Sequence, residues 1–177
     1  MNFIQDPGLV IVLAVRLIGP LLILRWPLLG SLLSQYVFDM FDVVIWDVTG
    51  TLKHIDYTFV EKPLDLYQLT LQLITVFWWR QNAPKRIAIG LYIYRLTGFV
   101  IYEFVHDRII FLLFPNFFLV FFLIYLVALK FKRGYWFESK KSLALILIVI
   151  LLIKIPQEYV LHYVEFSPWD AVKRWAG

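Results

Sequence analysis

A chain of 177 residues with 61% hydrophobic side chains and 19% aromatics, at a mean hydropathy of +0.74, lies outside the range of ordinary soluble domains. Its net charge of +4 sits in short basic clusters between apolar runs, which is the pattern of membrane loops and argues against a nucleic-acid partner. The absence of cysteine excludes disulfides, thiolate metal sites and cysteine nucleophiles.

The N-terminal residues MNFIQD lack a basic segment, and Arg16 interrupts the apolar run that follows. The run therefore reads as a retained first span over about 7–24, bent at Gly19-Pro20, and not as a cleaved signal peptide. Arg25-Trp26-Pro27 makes a basic interfacial turn into a second span, 27–46. Its core, WPLLGSLLSQYVFDMFDVVIWD, is long enough to cross a bilayer yet carries Asp39 and Asp42. At about 100° per residue, Gln35, Asp39 and Asp42 fall within about 60° on one side of a helix. A carboxylate inside hydrocarbon costs about 2.5–3.5 kcal/mol on insertion scales, so the pair is expected to face a partner, a cation or water.

Residues 47–63 read as a polar loop through Thr49-Gly50-Thr51. Span three, 64–79, is short, carries Asp65, Tyr67, Gln68 and Gln72, and ends in the interfacial belt Trp78-Trp79-Arg80. Span four, 86–105, holds Arg95 and Glu103, and span five, 109–129, holds Pro115-Asn116. The stretch from Lys130 to Lys141 is strongly basic, with Tyr135-Trp136 between the charges. Span six, 142–162, has a charge-free run of only about 12 residues where a crossing needs about 20. It is therefore expected to continue through Lys154, Pro156, Gln157 and Glu158. Ser167-Pro168-Trp169-Asp170 has the form of a capping box and predicts a surface helix over 168–176. The fold class expected is an all-α, polytopic membrane helix bundle of six spans, five if the third fails, in one transmembrane domain.

Six spans leave nine basic residues on the side of the 80–86 and 130–141 connections and five on the other. The excess makes the nine-residue side cytoplasmic and puts both termini outside. Asp39, Asp42, Asp65, Gln68, Glu103, Asn116, Lys154 and Glu158 then gather in the outer half of the membrane, with Arg16 and Arg95 near mid-depth. The arrangement predicts an outward-facing polar cavity or network.

Two short strings bear on chemistry. Asp47-Val48-Thr49-Gly50-Thr51-Leu52 resembles the aspartyl-phosphate loop of haloacid-dehalogenase enzymes and P-type ATPases. That resemblance implies a soluble doubly wound domain with a later lysine and a further acidic pair for magnesium, and the apolar remainder of the chain supplies none of these. Asp39-Met-Phe-Asp42 is similar to the start of the CDP-alcohol phosphotransferase motif, whose six-span enzymes bind metal and a CDP-lipid through aspartates of spans two and three. By that likeness Asp39, Asp42 and Asp65 would hold Mg2+ through oxygen ligands. The sequence departs from the motif at Val43, where the family has glycine, in lacking the following Ala-Arg, and at Leu69, where the fourth aspartate would stand.

A third reading needs no ligand. The intramembrane cations Arg16, Arg95 and Lys154 nearly balance Asp39, Asp42, Glu103 and Glu158, and Lys154 and Glu158 share a helix face at i,i+4. His54, His106 and His162 lack zinc-ligand spacing. The function expected is recognition or movement of a polar or anionic group, or of a lipid headgroup. Arg16 and Arg95 would bind the anion, while Asp39, Asp42, Asp65 and Glu103 would set its protonation or hold a counter-cation. Asn116, Lys154 and Glu158 form a secondary polar cluster. No catalytic residue is assigned, no cofactor beyond Mg2+ is indicated, and the partners expected are membrane lipids or other membrane subunits. The rival functions are a non-catalytic subunit of a larger membrane complex and a metal-dependent lipid-phosphate enzyme.

Overall fold

Asp6 starts the first helix by accepting the Leu9 N–H at 3.1 Å, and Pro7 occupies the first turn, where its missing N–H costs nothing. The computed structural model describes residues 6–50, 57–107 and 109–162, and among these the chain is helical with no strand. Helix α1, Pro7–Ile18, passes through a 3-10 turn at Gly19–Leu21 into α2, Leu22–Arg25. The bend expected at Gly19-Pro20 is this turn. Trp26 leaves the helical region, and Pro27 opens α3, Pro27–Leu33. The reversal is tight: a Cβ at Gly30 would lie 2.5 Å from the Ile23 backbone nitrogen, so a side chain there would displace backbone.

From α3 the chain runs through a π-helical segment, Ser34–Phe38, into α4, Asp39–Thr49. Gly50, in the left-handed conformation at φ 77°, ends α4. Helix α5, Tyr57–Val76, carries Pro63 inside it. The polar loop expected over 47–63 is thus shorter at both ends, and α5 begins at Tyr57 where Leu64 was expected. Glu61 and Lys62, two of the charges that suggested a loop, are folded into α5, with Lys62 buried and 3.2 Å from Glu61. Pro63 removes one N–H near the start of α5 and does not end it. Leu9 and Val12 of α1 pack on Trp46 of α4, flanked by Leu13, Ile45 and Val60.

The helices group into two compact units, one ending at Thr75 and the other starting at Val76. In the second, α6 runs Asn82–Val105 and ends at His106 in the left-handed region. The fifth expected span is two helices, α7 at Ile109–Leu113 and α8 at Phe117–Lys130, separated by Phe114-Pro115-Asn116. Proline cannot donate to the helical ladder and biases the residue before it towards extended backbone, which breaks the span here. Asn116 then caps α8 by accepting the Leu119 N–H at 3.1 Å. After a 3-10 turn at Gly134–Phe137, α9 runs unbroken over Lys140–His162, through Lys154 and Pro156.

The phenylalanines of α8 turn substantially inward. Phe118, Phe121 and Phe122 are fully buried, Trp79 stacks on Phe122, and Phe137 meets Tyr125 edge-on at 4.9 Å. Among the described residues three helices are long and apolar enough to cross a membrane: Pro7–Arg25, Asn82–Val105 and Lys140–Val160. Phe117–Lys130 is apolar but shorter. The surface helix expected over 168–176 lies outside the described residues.

Candidate functional site

Arg16 sits in the last turn of α1 and is 1% exposed. Its Nη2 donates to Asp65 Oδ1 of α5 at 2.8 Å, and its Nε lies 3.9 Å from Asp42 Oδ2 of α4. Asp42 is 3% exposed. Three helices thus bring one guanidinium and two carboxylates into one layer. A buried charge must be compensated to persist, and Arg16 meets that need with two partners of unequal depth.

The π-helical segment decides how α4 presents its acids. In a π turn the N–H bonds reach five residues back, so the turn holds an extra residue. The even spacing that placed Gln35, Asp39 and Asp42 on one face does not hold across Ser34–Phe38. Asp42 faces Arg16 of α1, whereas Gln35 accepts a hydrogen bond from Gln68 of α5 at 3.1 Å. The side chain of Asp39 lies outside the described ones.

Helix α5 thus meets α1 through Asp65 and the π-helical segment through Gln68. On α5, Gln72 and Thr75 continue the polar line begun by Asp65 and Gln68. Asp65, Gln68, Gln72 and Thr75 recur at intervals of three and four, which keeps them on one face of α5. At 1.5 Å per residue this line is about 15 Å long.

Gln68, Gln72, Thr75, Ser31 and Ser34 are all buried. The Thr75 hydroxyl donates to the Gln72 carbonyl at 2.8 Å. The hydroxyls of Ser31 and Ser34 and both amide atoms of Gln72 meet no hydrogen-bond partner among the described residues. Leaving such a group unmade inside a protein costs about 1–3 kcal/mol each.

The second unit uses its polar residues differently. Arg95, buried in α6, donates through Nη1 to the Phe114 carbonyl at 2.6 Å. Its guanidinium lies 4.9 Å from the Phe99 ring centroid and 4.8 Å from that of Phe111. Tyr94 donates its hydroxyl to the Leu113 carbonyl. On the other side of the break, Glu158 of α9 accepts the Asn116 N–H at 3.3 Å and pairs with Lys154 at 2.8 Å. The backbone groups freed by Phe114-Pro115-Asn116 are therefore taken up by neighbouring helices, the condition under which a broken helix is tolerated at membrane depth.

Arg16, Asp42 and Asp65 meet in the first unit, and Arg95, Asn116, Lys154 and Glu158 support the broken helix of the second. Glu103 is exposed. Among the described residues no three histidine or acidic side chains come together as a metal site, and Asp42 and Asp65 engage Arg16 as their cation. Sequence reasoning did not assign roles to Ser31, Ser34, Gln72 or Tyr94. The spacing of Asp65, Gln68, Gln72 and Thr75 was a usable signal, since polar residues at intervals of three and four in an apolar helix mark a shared face. Comparison with protein-family models, curated proteins and solved structures finds no match for this chain.

Proposed function

We propose that the chain is a small integral membrane protein in which the Arg16–Asp42–Asp65 layer and the polar line beyond it recognise or move a small polar group. The observation that carries this reading is that Ser31, Ser34 and Gln72 are buried while their side-chain polar atoms meet no hydrogen-bond partner among the described residues. Charged residues inside a membrane face a cavity or a partner, and they mark paths for ions, protons or polar substrates. In this reading α1–α2, α3–α4, α5, α6, α7–α8 and α9 make six crossings, and the basic bias of the connections places both termini outside. The acidic layer then lies towards the outer face.

The charge of the layer narrows what it can take. Arg16 with Asp42 and Asp65 carries one negative charge in excess. A proton or small cation is accommodated directly, whereas an anion reaching Arg16 must be accompanied by protonation of a carboxylate. Anion recognition here is accordingly coupled to proton uptake.

The test is a thermal-shift titration of the purified protein with acetate and phosphate at several pH values, repeated with Arg16→Gln. Proton-coupled recognition gives an anion affinity that rises as pH falls and disappears in Arg16→Gln. An anion effect that is independent of pH, or that survives in Arg16→Gln, rejects the assignment.

A further inference from the structure

The basic corner formed by the end of α8, the 3-10 turn and the start of α9 belongs to neither polar cluster. Lys130, Lys132, Arg133, Lys140 and Lys141 are all exposed there. The acid among them, Glu138, accepts a hydrogen bond from Gln81 at 3.1 Å. The corner is held in a defined shape. Lys132 adopts the left-handed conformation at φ 57°, and the Arg133 N–H returns to the Ala128 carbonyl at 2.7 Å, closing the end of α8. The Arg133 guanidinium then lies 5.0 Å from the Trp136 ring centroid.

Two apolar grooves run from beneath these charges. One, of about 450 Å³, lies along Val127, Phe131, Arg133 and Trp136. The other, of about 380 Å³, lies along Trp136, Leu145, Ile146 and Val149. Ile124 and Trp136 line both, so the indole stands as a divider between them. Basic residues alone are common where a helix leaves the membrane. Here Arg133 itself lines one of the paired apolar grooves, and Lys140 and Lys141 immediately precede Ser142, which lines the other, so the surface is complementary to a molecule with one anionic head and two apolar chains.

We infer that this corner binds one anionic diacyl phospholipid, with its phosphate at Arg133 and the neighbouring lysines and one acyl chain on each side of Trp136. Attraction to the head is electrostatic, at a strength worth about five-fold in affinity for each basic side chain near an anionic surface. The chains supply apolar contact that a free headgroup lacks.

The test uses the full-length protein in a non-ionic detergent, titrated with phosphatidylglycerol, with phosphatidylcholine of the same chains, and with glycerol phosphate, read by native mass spectrometry. One phosphatidylglycerol should bind saturably, and phosphatidylcholine should bind about five-fold or more weakly. Glycerol phosphate should not bind at the same concentrations. Arg133→Gln should weaken phosphatidylglycerol about five-fold. Leu145→Trp, which fills one groove from an exposed position, should weaken it as well, while Arg86→Gln, on α6, should leave it unchanged. Equal binding of phosphatidylcholine would reduce the site to a greasy surface, and equal binding of glycerol phosphate would reduce it to an anion site. Wild-type affinity in both Arg133→Gln and Leu145→Trp would likewise overturn the inference.

Discussion

Removing Arg16 should do more damage than removing either carboxylate it holds, and the structure sets the order. Arg16→Gln leaves Asp42, 3% exposed, without this counter-charge. Breaking a buried pair from one side costs about 3–5 kcal/mol. Asp65→Asn removes the 2.8 Å charge-assisted bond, but Asp65 is 26% exposed and Arg16 keeps Asp42 beside it. The expected cost is that of one hydrogen bond to a charged group, about 1.5–3 kcal/mol. Asp42→Asn leaves the closer Arg16–Asp65 bond intact and should fall in the same range. The double variant Arg16→Gln with Asp42→Asn removes the stranded charge and should be more stable than Arg16→Gln alone. Unfolding in mild detergent of the four proteins that form the cycle measures the coupling directly. Strict additivity, or an Arg16→Gln no worse than Asp65→Asn, would refute the claim that this layer is held together by mutual neutralisation.

Three further outcomes follow from the second unit and the topology. Arg95→Leu should destabilise by about 1.5–3 kcal/mol through its bond to the Phe114 carbonyl, and Tyr94→Phe by about 1 kcal/mol, both read from thermal unfolding. Glu158→Gln should strand Lys154, and Lys154→Met added to it should recover stability, because the paired removal leaves no buried charge; failure of that recovery would mean that Lys154 has another anionic partner. Reporter fusions after Lys132 and at the C-terminus should report opposite sides of the membrane, and reports from the same side would exclude the six-span topology.

Much of this architecture was legible from the apolar runs, because helix length and the position of charges are local properties. The continuation of α9 through Lys154 and Pro156 followed from the length a crossing needs. Pro115-Asn116 was visible as a pair of helix-breaking and capping residues. What they required was not, since the groups that satisfy the break come from Tyr94, Arg95 and Glu158 on other helices. The near-balance of intramembrane charge was likewise countable, but which cation served which anion depended on packing. Arg16 and Arg95 were equivalent candidates for Asp42 in the sequence, and it is Arg16 that lies beside Asp42 in the fold. The π-helical segment at Ser34–Phe38 left no local mark, and it shifts Gln35 from the regular spacing that related it to Asp39 and Asp42. Ser31 and Ser34 escaped notice, and Gln72 was noted without a role, because neutral residues in a membrane helix are easily read as packing positions. Only their burial without partners gives them weight.

The most direct measurement of the central claim is thiol labelling along α5, made simple by a chain that contains no cysteine. A thiol reacts as its thiolate, which forms only where water reaches it. Single cysteines at Asp65, Gln68 and Gln72 are exposed in intact cells to a small membrane-impermeant thiol reagent, alongside Leu71 on α5 and Phe121 on α8 as dry controls. The account predicts labelling at Asp65, Gln68 and Gln72 from the side on which the termini lie, with Leu71 and Phe121 unreactive. If Gln68 and Gln72 prove as inert as Leu71 in folded protein, the polar line is dry and serves only to hold the helices together.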